Sequence, residues 1–107
     1  GRIDPGEECL PAANRELQEE TGYAANKLEL LKSVSVAPGY IYHMTHIILA
    51  SDLYESRLEG DEPEPIEVIP WKLAELDDLL HQENFSEARS HVALYMIRDR
   101  FISHKIT

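Results

Sequence analysis

The chain has one cysteine, Cys9, so no disulfide can form within it. A single thiol fits a reducing cytoplasm, where Cys9 serves as a small apolar filler. There is no run of about 18 apolar residues, so no helix is expected to span a membrane. Positive charge is scarce. Lys+Arg number 10 against Asp+Glu 20, giving a formal charge of −10. Such a chain repels polyanions and does not suit non-specific nucleic-acid binding. An anionic small molecule remains admissible if cations lie between it and the protein. Internal repeats and low-complexity segments are absent, and 107 residues suffice for one domain at most.

What is present concentrates at the start: GRIDPGEECLPAANRELQEETGY, residues 1–23. Pro11 suits the first position of a helix, because its φ is preset and it has no N–H to satisfy. Gly22 suits the left-handed residue that ends one. Leu10, Ala13 and Leu17 form an apolar stripe at i, i+3, i+7. On such a helix Glu16, Glu19 and Glu20 share a face, and Glu16 and Glu20 repel each other at i, i+4 by roughly 0.2–0.5 kcal/mol. Two readings account for that repulsion. One is a solvated acidic face. The other is a site for a hard cation such as Mg²⁺, which binds through one or two carboxylates together with substrate phosphates.

The stretch reads Gly1, five residues, Glu7, seven residues, Arg15-Glu16-Leu17-any-Glu19-Glu20-any-Gly22-bulky. It resembles the Nudix box, the signature of hydrolases acting on nucleoside diphosphates linked to another moiety. Every fixed position matches. Tyr23 stands where the family prefers an aliphatic residue. A pattern of this many positions at set spacing is specific, and it favours the cation reading. The resemblance implies an α/β (α+β type) Nudix fold, an α/β/α sandwich with a mixed sheet. Family members carry strands before the box. Residues 1–107 are therefore expected to be the C-terminal part of a single Nudix domain, without its N-terminal strands.

Beyond the box, 27–36 is expected to be a strand, although Leu31 breaks its alternation. Ala37-Pro38-Gly39 is a turn, and 40–53 is a second strand returning on the first. An acidic loop follows over 54–65. Residues 66–71 form a short strand that Pro70 confines to an edge or an end. A short helix is expected over 73–80. The pair Asn84 and Glu87 has capping-box spacing and predicts a last helix over 85–104. Its broad apolar surface suits contact with both the sheet and another subunit.

Diphosphate hydrolysis needs charge neutralisation, a placed water and a proton acceptor. By resemblance, Glu16 and Glu20 are the metal ligands, with Glu19 a third. The ion is Mg²⁺ or Mn²⁺. Arg15 holds a box glutamate in place, as a fork donor can. Glu7 braces the loop before the helix, and Gly1 and Gly6 permit its tight backbone. The loop Gly60-Asp61-Glu62-Pro63-Glu64-Pro65 is similar to the acidic loop that carries the general base in the ADP-ribose branch of the family. That likeness makes Glu62 the base and Glu64 its neighbour, although Glu19 or another box glutamate can also take this part. The prolines stiffen that loop.

Pro38, sixteen residues beyond Gly22, is associated with the same branch. The resemblance implies substrates that contain ADP, among them ADP-ribose, NADH and diadenosine polyphosphates, with AMP released by a homodimer. Tyr40 or Tyr42 can stack on adenine, Tyr40 being the candidate. Such tyrosines are more often half-buried strand residues. His43 and His46 would face opposite sides of a strand, and His81, His91 and His104 have no ligand spacing. Two competing readings remain. One is a non-catalytic Nudix-like module that senses a nucleotide, which a broken box would favour. The other is a plain acidic interaction domain.

Overall fold

In a computed structural model the chain is described over residues 2–60 and 66–101. Its elements in order are α1 (Cys9–Thr21), β1 (Tyr23–Ser35), β2 (Met44–Glu55), a 3₁₀ turn (Leu73–Glu75), α2 (Leu76–Leu80) and α3 (Ala88–Phe101). Helices with an antiparallel sheet make this the expected α/β class. Two compact units divide the chain, one up to Val68 and one from Ile69.

In the first unit, α1 is built from good helix formers such as Ala, Arg, Glu, Leu and Gln. It begins two residues earlier than its proline suggests. Glu8 is the extended N-cap, and the first helical bond runs from Ala12 N–H to Glu8 O at 3.0 Å. Pro11 is thus the third helical residue, not the first. It still fits, because the N–H groups of the first turn have no helical acceptor. Gly22 closes the helix as expected, with φ 80° and its N–H donated to Gln18 O at 3.2 Å. Thr21 turns its hydroxyl back to Leu17 O at 2.7 Å.

β1 follows Gly22 at once, four residues before its expected start. It pairs with β2 in an antiparallel ladder from Tyr23↔Glu55 to Ser35↔Met44. The register shifts between Leu30 and Lys32, which pair with the consecutive residues Ile48 and Ile47. Leu31 is the extra residue of that irregularity. Its break in the apolar alternation was the trace of a bulge. The ladder also omits Asn26 and Asp52, and Asp52 has φ 54°.

α1 packs on β1, and more lightly on β2. The buried side chains of this unit among the described residues are three alanines, Ala12 on the helix with Ala24 and Ala25 on β1, and Ile47 from β2. Leu10, Ala13 and Leu17 are half-buried around Ala12. Asn14 ties the two elements together, its Oδ1 accepting from Ala25 N–H at 2.9 Å.

The β1–β2 connection is longer than the sequence suggests, because β2 starts at Met44 and not at residue 40. The Ala37-Pro38-Gly39 turn is present. Gly39 has φ 96°, and Ala37 O accepts from both Tyr40 N–H and Ile41 N–H at 2.9 Å. The Tyr40 and Ile41 amides are spent inside the turn, and Tyr40 and Tyr42 both lie before the ladder. They are 89% and 91% exposed, not half-buried in a strand.

In the second unit, Leu76 and Leu80 of α2 are buried, and α2 packs on α3. The strand expected over 66–71 does not form. Pro70 has no N–H for a ladder, and the Trp71 indole N–H is donated to Glu75 O at 2.7 Å, folding the chain into the 3₁₀ turn. Arg98 bonds Asp77 and lies over the Tyr95 ring at 4.7 Å. The cap of α3 is Glu87 itself, not Asn84. Glu87 O accepts from His91 N–H at 3.1 Å, and its carboxylate accepts from Ser90 N–H at 2.6 Å. The helix therefore starts three residues later than the capping-box spacing suggests.

Candidate active site

The turn before α1 is made by Asp4-Pro5-Gly6-Glu7. Glu7 N–H returns to Asp4 O at 3.0 Å, and Gly6 has φ 81°. Pro followed by Gly at the two central positions is the sequence form of a type II turn. Asp4 N–H donates to Glu7 Oε1 at 3.0 Å, so the turn also fixes the Glu7 side chain.

Arg15 sits where turn and helix meet. Its Nε–H and Nη2–H bond the two Glu7 oxygens at 2.9 and 3.0 Å. Nη1 bonds Glu16 Oε1 at 3.1 Å and Glu19 Oε2 at 3.1 Å. The second Nη2 hydrogen goes to Arg2 O at 2.8 Å. A guanidinium has five N–H donors in a fixed plane, and each has an acceptor here. Asp4 adds its charge, 3.6 Å from Nη2. Arg15, Glu7, Glu16 and Glu19 are all partly withdrawn from solvent. Glu16 Oε1 also accepts from Arg2 N–H at 3.3 Å, which joins the chain before the turn to the helix face.

Electrostatics follow from these contacts. The Glu7 carboxyl is held below its ordinary value, first by its bonds from Arg15 and then by the Asp4 N–H. The Arg15 guanidinium is pushed further up, chiefly by Glu7 and then, against some desolvation, by Glu19. Arg15 is a fixed cation that gathers carboxylates which would otherwise repel one another.

The expected site residues therefore separate into groups. Arg15, Glu7, Glu16 and Glu19 are brought together. Glu20 lies one helical turn from Glu16 on α1, and it is engaged by a neighbour of its own. Gly22 caps the helix. Pro38 and Tyr40 lie on the β1–β2 connection, and no hydrogen bond or ion pair among the described residues links them to the Arg15 cluster. Gly1, Glu62 and Glu64 lie outside the described residues.

Among the described residues no group of three or more His, Cys, Asp or Glu side chains is arranged to hold a metal ion. The Glu16 and Glu19 carboxylates point to Arg15. The donors are nevertheless of the kind a hard cation takes, oxygen without nitrogen or sulfur. Each of Glu16 and Glu19 shares a single Arg15 nitrogen, a hold that leaves carboxylate lone pairs over.

Some contributors carried no signal in the sequence. Arg2 acts through its backbone, which no side-chain pattern reveals. Asn14 and Gln18 occupy places in the box that accept any residue. Asp4 had a trace, since Asp-Pro-Gly is turn chemistry.

The chain matches the family model described as "NUDIX domain" over residues 1–95. It is 50% identical over 99 residues to "ADP compounds hydrolase NudE" of Escherichia coli strain K12, an alignment covering 92% of this chain and 53% of that protein. It is 33% identical over 100 residues to "ADP-ribose pyrophosphatase" of Bacillus subtilis strain 168, covering 92% of this chain and 54% of that one. A solved structure described as "Crystal structure of ADP compounds hydrolase" superposes with a TM-score of 0.91 at 48% identity, over 97% of this chain and 56% of that chain. The chain spans about half the length of the relatives it matches.

Proposed function

The chain belongs to the NUDIX domain family, and from that premise we propose that it carries the metal-binding half of a pyrophosphohydrolase acting on ADP-containing compounds. The observation that carries this reading is the Arg15 cluster. Each guanidinium N–H is used to hold the acidic face of α1 and the turn before it in one arrangement. A solvated acidic face has no need of such an organiser. The likeness to an ADP compounds hydrolase and to an ADP-ribose pyrophosphatase supports the substrate class.

In this proposal a divalent cation, Mg²⁺ or Mn²⁺, is held by Glu16, Glu19 and Glu20 and supplies charge neutralisation at the diphosphate and a more acidic attacking water. Arg15 keeps the glutamates in register and spreads their charge. Glu7 anchors Arg15 to the turn. Glu62, with Glu64 beside it, takes the proton of the attacking water, with Glu19 as the alternative acceptor. Water adds to one phosphorus, the bridging P–O bond breaks, and AMP leaves with the phosphorylated remainder as the second product. Tyr40, exposed beside Pro38, stacks on the adenine. The net charge of −10 is consistent with a cation lying between the protein and a diphosphate. We place the protein in the cytoplasm on its lone thiol, and as a homodimer from the broad apolar surface of its last helix. Among the described residues no helix is long and apolar enough to cross a membrane.

The test is AMP release from ADP-ribose, NADH and diadenosine triphosphate by the protein at its full natural length, compared with Glu20→Gln. The proposal expects turnover that needs added Mg²⁺ or Mn²⁺ and collapses in the variant while folding is kept. Equal turnover in the two would refute it.

A further inference from the structure

Gln18 occupies a place in the motif where any residue is accepted, yet its side chain reaches from α1 to the chain beyond β2. Its Oε1 accepts from Ser56 Oγ–H at 2.7 Å, and its Nε2–H donates to Asn14 O at 3.2 Å. Its backbone O accepts from Gly22 N–H at 3.2 Å and from Leu58 N–H at 3.3 Å. Ser56 N–H in turn donates to Gly22 O at 2.9 Å. Residues 56–58 are the first after β2, so the chain leaving the sheet is stitched onto the last turn of the acidic helix. Arg57 closes over the join. A Cβ on Gly22 would lie 3.2 Å from Arg57 Nη1 and 3.3 Å from its Cδ.

We propose that Gln18 and Ser56 are a positioning pair for hydrolysis: their hydrogen bond fixes where the acidic stretch beginning at Glu59 leaves the helix that carries Glu16, Glu19 and Glu20. The inference rests on the pyrophosphohydrolase reading above. Two features separate this join from ordinary loop packing. It lands within the acidic motif, on the residue just before Glu19. The side-chain bond also accompanies two backbone bonds, so residues 56–58 are held at both ends of the join. Gly22 serves the join as well as the helix, since its carbonyl receives Ser56 and its missing Cβ makes room for Arg57. The helix end has its own closure in Gly22 and Thr21. Breaking the Gln18–Ser56 bond therefore frees the exit path and leaves the metal-binding glutamates in place.

Ser56→Ala and Gln18→Leu test this in the full-length protein. The expected result is a fall in kcat of roughly tenfold to a hundredfold, the scale of a small misplacement, with KM and the Mg²⁺ half-saturation retained. Ser56→Thr, which keeps the hydroxyl, should restore kcat, and the double variant should be no worse than either single one. Amide hydrogen exchange supplies a reading independent of turnover. Leu58 N–H should exchange faster in both variants, and Gly22 N–H should not. Unchanged kcat with faster exchange at Leu58 would overturn the positioning role. Unchanged exchange at Leu58 would overturn the join itself. A parallel loss of Mg²⁺ affinity would make the pair a support of the helix instead. Absence of turnover in the unaltered protein would sink the pyrophosphohydrolase reading, and the positioning role with it.

Discussion

Arg15 holds Glu7 by two parallel bonds, Nε to Oε2 at 2.9 Å and Nη2 to Oε1 at 3.0 Å, across eight residues of chain. The planar fork matches the two carboxylate oxygens, and the remaining hydrogens face Glu16, Glu19 and Arg2 O. A lysine has three donors on a point charge and cannot reproduce this plane. Arg15→Lys should therefore lower activity by about 10- to 100-fold, the scale for groups that orient metal ligands. Weaker Mg²⁺ binding should accompany the loss. Steady-state kinetics across a Mg²⁺ titration checks both.

Acid should loosen the fold through Glu7 and Glu87. Glu7 is held below its ordinary 4.5 by Arg15 and the Asp4 N–H. Glu87 is lowered to about 2, first by Arg89 and then by the Ser90 N–H that it caps. Both values are depressed on folding, so the unfolded chain binds more protons in this range. The stabilisation is complete above about 4.5 and is lost as pH falls through the folded values, about 2 for Glu87. Urea midpoints measured from pH 6 down to pH 2.5 should fall with acidity. Glu87→Gln should flatten part of the slope. An identical slope in the variant would remove Glu87 from the account.

Gly22→Ala should destabilise by about 1–2 kcal/mol, because an L residue is disfavoured in the left-handed conformation. The φ of 80° demands that conformation, and the added methyl would press on Arg57 at 3.2 Å. Thermal unfolding reads the loss. A substitution that costs nothing would mean that the helix ends differently.

Tyr40→Ala should leave stability within about 0.5 kcal/mol, as for other exposed sites, because the side chain is 89% exposed. If Tyr40 stacks on adenine, binding weakens by about 1–3 kcal/mol. That rise should appear in KM with kcat kept. A substrate analogue without the base should bind both forms alike.

The helix and the way it ends were legible in the sequence because they rest on local rules. Gly22 stops the helix by its own backbone freedom, and Asp-Pro-Gly makes its turn without help from distant residues. Leu31 breaks the alternation at the place where the register shifts, but the pattern alone did not distinguish a bulge from an imperfect strand. The edges of elements were less legible. Pro11 is tolerated anywhere in the first turn, so it marks a region and not a residue. Tyr40 and Tyr42 look like strand residues, yet the turn at Ala37 takes up the nearby amides. The sequence around Pro70 reads as a strand by composition, while the Trp71 indole finds its acceptor four residues on. Asn84 and Glu87 had the spacing of a cap, but Glu87 caps directly. The Gln18–Ser56 bond spans 38 residues, and no local pattern announces such a contact.

The most direct test is a titration of Mn²⁺ followed by its electron paramagnetic resonance signal, on the full-length protein and on the combined Glu16→Gln, Glu19→Gln and Glu20→Gln variant. The acidic face of α1 should take up Mn²⁺ in the unaltered protein and fail to do so once its three carboxylates are neutral. Equal uptake by the two proteins, or none by either, would contradict the account.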